Sequence, residues 1–275
     1  MKYSGIWPKT FLILAVNAAV GLPSLPALAA GLTIPSGSSL SLGSGQIDMG
    51  CGDLEVLGTF NMETGRSNRA GSVTIETGGE LNGSQGIIEF GNHWNNRGSF
   101  NAATSFVTLV DECSDTASFN GDSTFYNLSM ETSAGKVVVL EADRQQTVMN
   151  DLVLTGAAGN LLTLRSSIEG SHSYFQLVMT GSQLINYVDV RDNWALNPGQ
   201  HLALGWPNVF NSLDSGNNFR WFYNFEVTEA VPSLSDWSLI LLIAATLMSA
   251  RFIFRQLFGQ KVRHEMARFD AKRPF

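Results

Sequence analysis

A four-residue pattern that recurs at nearly constant distance constrains this chain most. Gly58-Thr-Phe-Asn61, Gly79-Glu-Leu-Asn82 and Gly98-Ser-Phe-Asn101 share one order: Gly, polar, apolar, Asn. Ala117-Ser-Phe-Asn120 is a weaker fourth copy, and the four starts lie 21, 19 and 19 residues apart. A period of about 20 residues is the size of one coil of a stacked architecture, in which neighbouring coils bury a continuous core. The segments between the copies agree. Ser72–Glu76, Phe106–Val110, Val137–Leu140, Leu152–Leu154, Leu161–Leu164 and Tyr187–Val190 are short, apolar and often β-branched. Gly, Asn, Asp or Ser bounds them, as strands require. No amphipathic helix of ten residues can be drawn between Gly31 and Ala230. The expectation is an all-β chain, a parallel β-solenoid over residues 31–225. A β-sandwich also gives short strands at regular spacing, but the steady period favours the solenoid. Asn and Gly at the corners should supply left-handed backbone, and identical stacked corners should form Asn ladders.

Charge divides the chain in three. Residues 1–30 carry only Lys2 and Lys9, residues 31–236 carry 8 Lys/Arg against 22 Asp/Glu, and residues 237–275 carry 7 against 2. An acidic body repels phosphate backbones, which argues against nucleic acid as a partner. A content of 44% hydrophobic and 15% charged residues excludes a wholly disordered chain.

The two ends read as addresses. Lys2 and Lys9, the apolar run Phe11–Leu22 and the small-residue stretch Ala27-Leu-Ala29-Ala30 have the order of a signal peptide, with cleavage after Ala29 or Ala30. At the other end Trp237–Ala250 is free of charge, and Phe252-Ile-Phe254 extends the run past Arg251. A snorkelling arginine permits a transmembrane helix over 237–258. Trp237 suits an interfacial belt, and the basic tail 259–275 predicts a cytoplasmic C-terminus. Residues 226–236 form a linker, within which stands Val231-Pro-Ser-Leu-Ser-Asp-Trp237. This element, with the helix and basic tail that follow, resembles the IPTL-CTERM sorting signal of Gram-negative bacteria. Val231, Pro232, Ser233, Leu234 and Trp237 match its motif positions, with Val231 and Ser233 replacing Ile and Thr. The resemblance implies an exported protein held in the cell envelope by its C-terminal helix, with a sorting protease as a partner.

The middle is similar to a recurrent type of bacterial surface protein. The matching pieces are Trp94-Asn-Asn-Arg-Gly-Ser-Phe-Asn101, Ser123-Thr-Phe-Tyr-Asn-Leu128, Leu161–Ser167, Tyr187-Val-Asp-Val190 and Asp214-Ser-Gly-Asn-Asn-Phe-Arg-Trp221. That resemblance implies a right-handed parallel β-helix at the cell surface, and a structural or adhesive role toward surface polysaccharide or matrix. A carbohydrate-binding or polysaccharide-degrading protein on the same scaffold is the alternative, since fold does not imply function.

Chemistry-bearing residues are sparse. Cys51 and Cys113 are an even pair in an exported chain, which favours a disulfide. Their separation by about three coils argues the other way, because three strand spacings come to roughly 14 Å and a bridge needs Cα atoms within about 7 Å. Either an N-terminal segment folds back as a cap or the thiols stay apart; the expectation is the bridge. The carboxylates Asp189 and Asp192, and the group Asp111, Glu112 and Asp115, are the nearest approach to a glycosidase pair, and they read more plainly as a solvated face. His93, His172, His201 and His264 have no metal-ligand spacing. No nucleophile elbow or phosphate loop occurs, so neither catalytic residues nor a cofactor is expected. The aromatic residues Trp94, Phe100, Phe106, Phe119, Phe125, Tyr126, Trp206 and Trp221-Phe-Tyr223 suit a solenoid core, and the last three suit a cap over the final coil.

Overall fold

A computed structural model describes residues 31–222. The signal peptide, Tyr223, the linker with its motif Val231, Pro232, Ser233, Leu234 and Trp237, the helix 237–258, the tail 259–275 and His264 lie outside the described residues. Within them the chain is a parallel β-solenoid, and the one helical element is a 3₁₀ turn at Pro207–Phe210.

Three sheets form its faces. Sheet A has nine strands: Leu32–Ile34, Leu54–Val56, Val73–Ile75, His93–Asn96, Thr116–Asn120, Lys136–Leu140, Leu162–Ser166, Val188–Arg191 and Leu213–Asp214. Sheet B has four: Ser39–Ser41, Thr59–Asn61, Glu80–Asn82 and Ser99–Asn101. Sheet C runs from Gln46–Asp48 through Arg66–Ala70, Ile87–Phe90, Phe106–Leu109, Ser123–Glu131 and Gln145–Thr155 to Ser173–Leu177 and Asn193–Ala195. Ser182–Asn186 pairs with the second half of Gln145–Thr155. Strand follows strand in sequence, yet each pairs with its counterpart one coil away, so nearly all sheet hydrogen bonds are between coils.

The recurring tetrapeptide is sheet B. Phe60, Leu81 and Phe100 stand in one inward column, and Asn61, Asn82 and Asn101 in one outward column. The outward amides form the expected ladder: Asn82 Nδ2 donates to Asn61 Oδ1 at 3.0 Å. The fourth copy does not continue this sheet. Ala117-Ser-Phe-Asn120 lies in sheet A, where Phe119 pairs with Trp94 and Asn120 with Asn95. It builds a separate ladder there, Asn120 Nδ2 donating to Asn95 Oδ1 at 2.6 Å. Glycines such as Gly37, Gly78, Gly121 and Gly135 supply left-handed corners as expected, but at the ladder they share the task with other residues. The ladder asparagines are strand residues, while Gly43, Glu63, Ser84 and Ala103 take positive φ in the turn that follows.

The leading glycine of the repeat answers a steric need. A Cβ on Gly79 would stand 2.1 Å from the Val56 carbonyl oxygen of the preceding coil, and one on Gly98 would meet two carbonyls at 2.4 and 2.5 Å. Coils at strand spacing have no room there for a side chain. Gly79→Ala should therefore push two coils apart and cost about 2–4 kcal/mol, by analogy with overpacking and backbone strain. Gly78 sits beside it in open space with φ +83°, so Gly78→Asn should cost under about 1 kcal/mol. Urea unfolding of both variants checks the contrast.

The core is a set of inward columns. Leu54, Val73, Trp94, Phe119 and Leu140 are in register on sheet A and are all buried. Trp94 packs on Phe90, Phe100 and Phe125 at centroid distances of 5.6, 4.9 and 5.3 Å. Its Nε1 donates to Ser123 Oγ at 3.0 Å, which satisfies the indole N–H that burial would otherwise strand. Phe106 and Trp206, also expected inside, are half-exposed. At the far end Leu202, Ala203, Trp221 and Phe222 are buried, and Trp221 Nε1 donates to Asn193 Oδ1 at 2.7 Å. The described part of the aromatic cap therefore closes the last coil, as a solenoid end requires.

Candidate functional site

The cysteines are joined, with Cα atoms 5.4 Å apart. The spacing objection fails because neither cysteine lies in a strand column. Cys51 stands in a long corner, 49–53, between sheets C and A; Cys113 stands in another, 110–115, three coils further on. The same corner in the two intervening coils has only Gly71-Ser72 and Gly91-Asn92. Both long corners lean over these flat glycine corners and meet. A Cβ on Gly71 would stand 2.5 Å from the Cys51 carbonyl oxygen, and one on Gly91 would stand 1.9 Å from that of Glu112. No N-terminal cap is involved, since the Cys51 corner belongs to the stack itself.

The Cys113 corner is also held from the other side. Lys136, the one lysine of the described residues, is buried and donates from Nζ to the carbonyls of Val110 at 2.8 Å and Ser114 at 2.5 Å. Burial pushes its ammonium below the ordinary lysine range, against the pull of Asp111, Asp115 and Glu112. Burial raises the Asp111 carboxyl, but Thr132 and the Ser133 and Ala134 amides outweigh it and hold the group below its usual value. The group Asp111, Glu112 and Asp115 thus surrounds a buried lysine and shapes a loop.

The other carboxylate group is structural as well. Val188 and Val190 point inward and Asp189 outward, as alternation requires. Asp189 pairs with Arg165 at 2.5 Å and accepts from Ser215 Oγ at 2.6 Å. Asp192, expected on a solvated face, is instead buried in a corner at φ +58°. Burial raises its carboxyl, but the Asn217 amide at 2.6 Å, the Gly170 N–H at 3.2 Å and the nearby Arg191 and His172 bring it below the usual range. Of the histidines, His93 Nδ1 bonds Ser118 Oγ at 2.9 Å and His172 Nε2 bonds Asn217 Oδ1 at 3.0 Å. Burial and the Arg220 guanidinium push His201 below its usual value. Among the described residues no three His, Cys, Asp or Glu side chains gather as a metal site.

The arrangement that sequence reasoning missed is a step in the solenoid's cross-section. Sheet B ends at Ser99–Asn101. In the next coil Ser123–Glu131 follows Thr116–Asn120 after Gly121-Asp122; its first part, Ser123–Phe125, pairs only with the coil beyond it and its second part with Phe106–Leu109, so strand pairing breaks after Ser99–Asn101. Phe60 and Leu81 are fully buried by the coils on either side, but Phe100, the last of that column, is only partly covered. A lateral cleft of about 740 Å³ opens above it. Asn96 and Phe100 line one side; Asp122, Thr124, Asp143, Gln145, Thr147 and Tyr174 line the rest. A second hollow, about 540 Å³, shares Asn96, Gly98 and Asp122 and is flanked by Arg97, Glu141 and Arg144. Asp122 accepts the Gln145 N–H at 2.8 Å through Oδ1 and faces Arg144 at 3.4 Å through Oδ2. Both oxygens of this carboxylate thus accept hydrogen bonds from the protein.

Electrostatics around the cleft follow from coil stacking. Arg66, Arg69, Arg97, Arg144, Arg165 and Arg191 each pair with a carboxylate one coil away. Arg220 instead donates to the Gly199 carbonyl and toward His201. Exposed pairs of this kind add little stability, about 0–1 kcal/mol each, but they leave the excess charge of the body acidic.

The fold and cleft define a disulfide-clasped parallel β-solenoid with a lateral groove. No family model, curated protein or solved structure matches the chain.

Proposed function

We propose that this chain is an exported surface protein held at the envelope of a Gram-negative bacterium, with the solenoid as a structural or adhesive body. The observation that carries this reading is the Cys51–Cys113 bridge, because structural disulfides persist in oxidising compartments. The signal peptide 1–30, the sorting motif Val231, Pro232, Ser233, Leu234 and Trp237, the helix 237–258 and the basic tail 259–275 supply the route and the anchor. Right-handed winding accords with the strong rule for parallel crossovers. Attachment is to the membrane through the C-terminal helix, with a sorting protease acting near the motif, and no cofactor is invoked.

Deleting residues 231–275 tests the anchor. The truncated protein should leave the membrane fraction for the periplasm or medium and keep its β-type circular dichroism, because Trp221 and Phe222 already close the last coil. Retention with the membrane would contradict the anchor, and unfolding would mean that the C-terminal segment belongs to the core.

The cleft favours a second reading, a carbohydrate-binding protein on the same scaffold. A polysaccharide-degrading version would need one carboxyl held protonated opposite a second. The lining, mostly neutral polar and apolar groups, favours binding.

A further inference from the structure

We propose that the step cleft is the adhesive site and that its ligand is a linear, uncharged glycan. The proposal rests on the adhesive reading above and adds the place and the ligand class. The volume of about 740 Å³ lies in the range of sites for small molecules, roughly 300–1,000 Å³. Its chemistry combines two surfaces that a sugar ring needs. Phe100 and Tyr174 give apolar ring surface for the C–H face of a pyranose. Thr124, Gln145 and Thr147 give neutral groups that both donate and accept, and Asp122 and Asp143 give acceptors for hydroxyls.

Asn96 lies on the wall shared by the two hollows. Its Nδ2 donates to the Asp122 carbonyl at 2.9 Å and to Ser123 Oγ at 3.1 Å, which fixes the amide.

Two further features give the ligand its length and charge. From Tyr174 an outward aromatic row continues along the solenoid axis. Tyr174 pairs in register with Trp194, and Trp194 bridges to Phe219. The ring centroids are 6.2 and 5.4 Å apart, and Phe219 is more than half exposed. Such a row suits a chain-like ligand that runs on past the cleft. No lysine or arginine lines the larger hollow, and the pairing of arginines with carboxylates leaves an acidic surface. Uronate, sulfate and phosphate polymers are therefore repelled, while uncharged hexose or N-acetylhexosamine chains are not.

The test uses the full chain in an amine-oxide detergent, which has no sugar headgroup. Cellohexaose, laminarihexaose, chitohexaose and polygalacturonate are titrated by calorimetry and by saturation-transfer NMR. At least one neutral hexasaccharide should bind, and polygalacturonate should not. Thr124→Arg places a long cation in the cleft from an exposed strand position. It should weaken binding at least ten-fold without moving the thermal midpoint, and Tyr174→Ala should weaken it as well. Neutral-glycan binding that survives both substitutions would overturn the cleft while leaving glycan adhesion standing. Binding of polygalacturonate alone, or of none of the four, would overturn the ligand class. None of these results touches the anchor, which the truncation tests separately.

Discussion

The double variant Cys51→Ser/Cys113→Ser should unfold about 4 kcal/mol more easily than the native chain. The bridge spans 62 residues, and closing a loop of that length in the unfolded chain accounts for about that much on the chain-entropy model. For a domain of this size the midpoint should fall by roughly 10 °C. The architecture adds a direction to the loss. Each coil of a solenoid touches only its neighbours, so the stack frays from its ends. The clasp ties the corner at Cys51 to one three coils inward, where Lys136 also holds the loop. Hydrogen exchange should therefore accelerate most in the strands Leu32–Ile34 to Arg66–Ala70, and least in Lys136–Leu140 and Leu162–Ser166. Scanning calorimetry and exchange on the same samples measure both. An unchanged midpoint would mean that the glycine corners and Lys136 hold the loops without the covalent link.

The second large effect is expected at Trp94. Trp94→Ala removes the largest fully buried side chain and leaves a void among Phe90, Phe100, Phe119 and Phe125. Large-to-small changes of this type cost about 3–5 kcal/mol. Ser123 Oγ also loses one of its two donors, keeping Asn96 Nδ2. The substitution lies under the step cleft, so its damage should extend to Phe100 and the cleft floor. Phe106→Ala is the matched control: the side chain is half-exposed on sheet C, and its loss should cost under about 1 kcal/mol. Denaturant midpoints of the two variants should differ accordingly.

The parts of this structure that were legible in the sequence are those set by local chemistry. The Gly-x-apolar-Asn copies at 58, 79 and 98 each carry one constraint per residue: a glycine against a neighbouring carbonyl, an inward apolar group and an outward ladder amide. That triple demand recurs once per coil and so leaves a period. The fourth copy was misleading because Phe119 and Asn120 meet the same inward and outward demands on a different sheet. Its first residue is alanine, not glycine, and that was the available sign that the close-approach corner had changed. The same loosening marks where sheet B ends, and so where the cleft opens.

What was not legible depends on corner length compared between coils. Cys51 and Cys113 are three coils apart along the axis, yet touch because two short glycine corners lie between two long ones. Asp192 reads as a solvated turn residue, but the partners that bury it, Gly170 and Asn217, are 22 and 25 residues away. The cleft residues Asn96, Asp122, Asp143 and Tyr174 share no motif; only the break in strand pairing after Ser99–Asn101 brings them together.

On the function proposed, this solenoid works outside the cytoplasm while joined to the envelope. Cell fractionation with intact-mass measurement tests it most directly, with thiols alkylated before any reduction. The expected product is a chain in the envelope fraction that begins at Ala30 or Gly31 and carries no alkyl group on Cys51 or Cys113. A soluble cytoplasmic chain that still begins at Met1, with both cysteines alkylated, would contradict it.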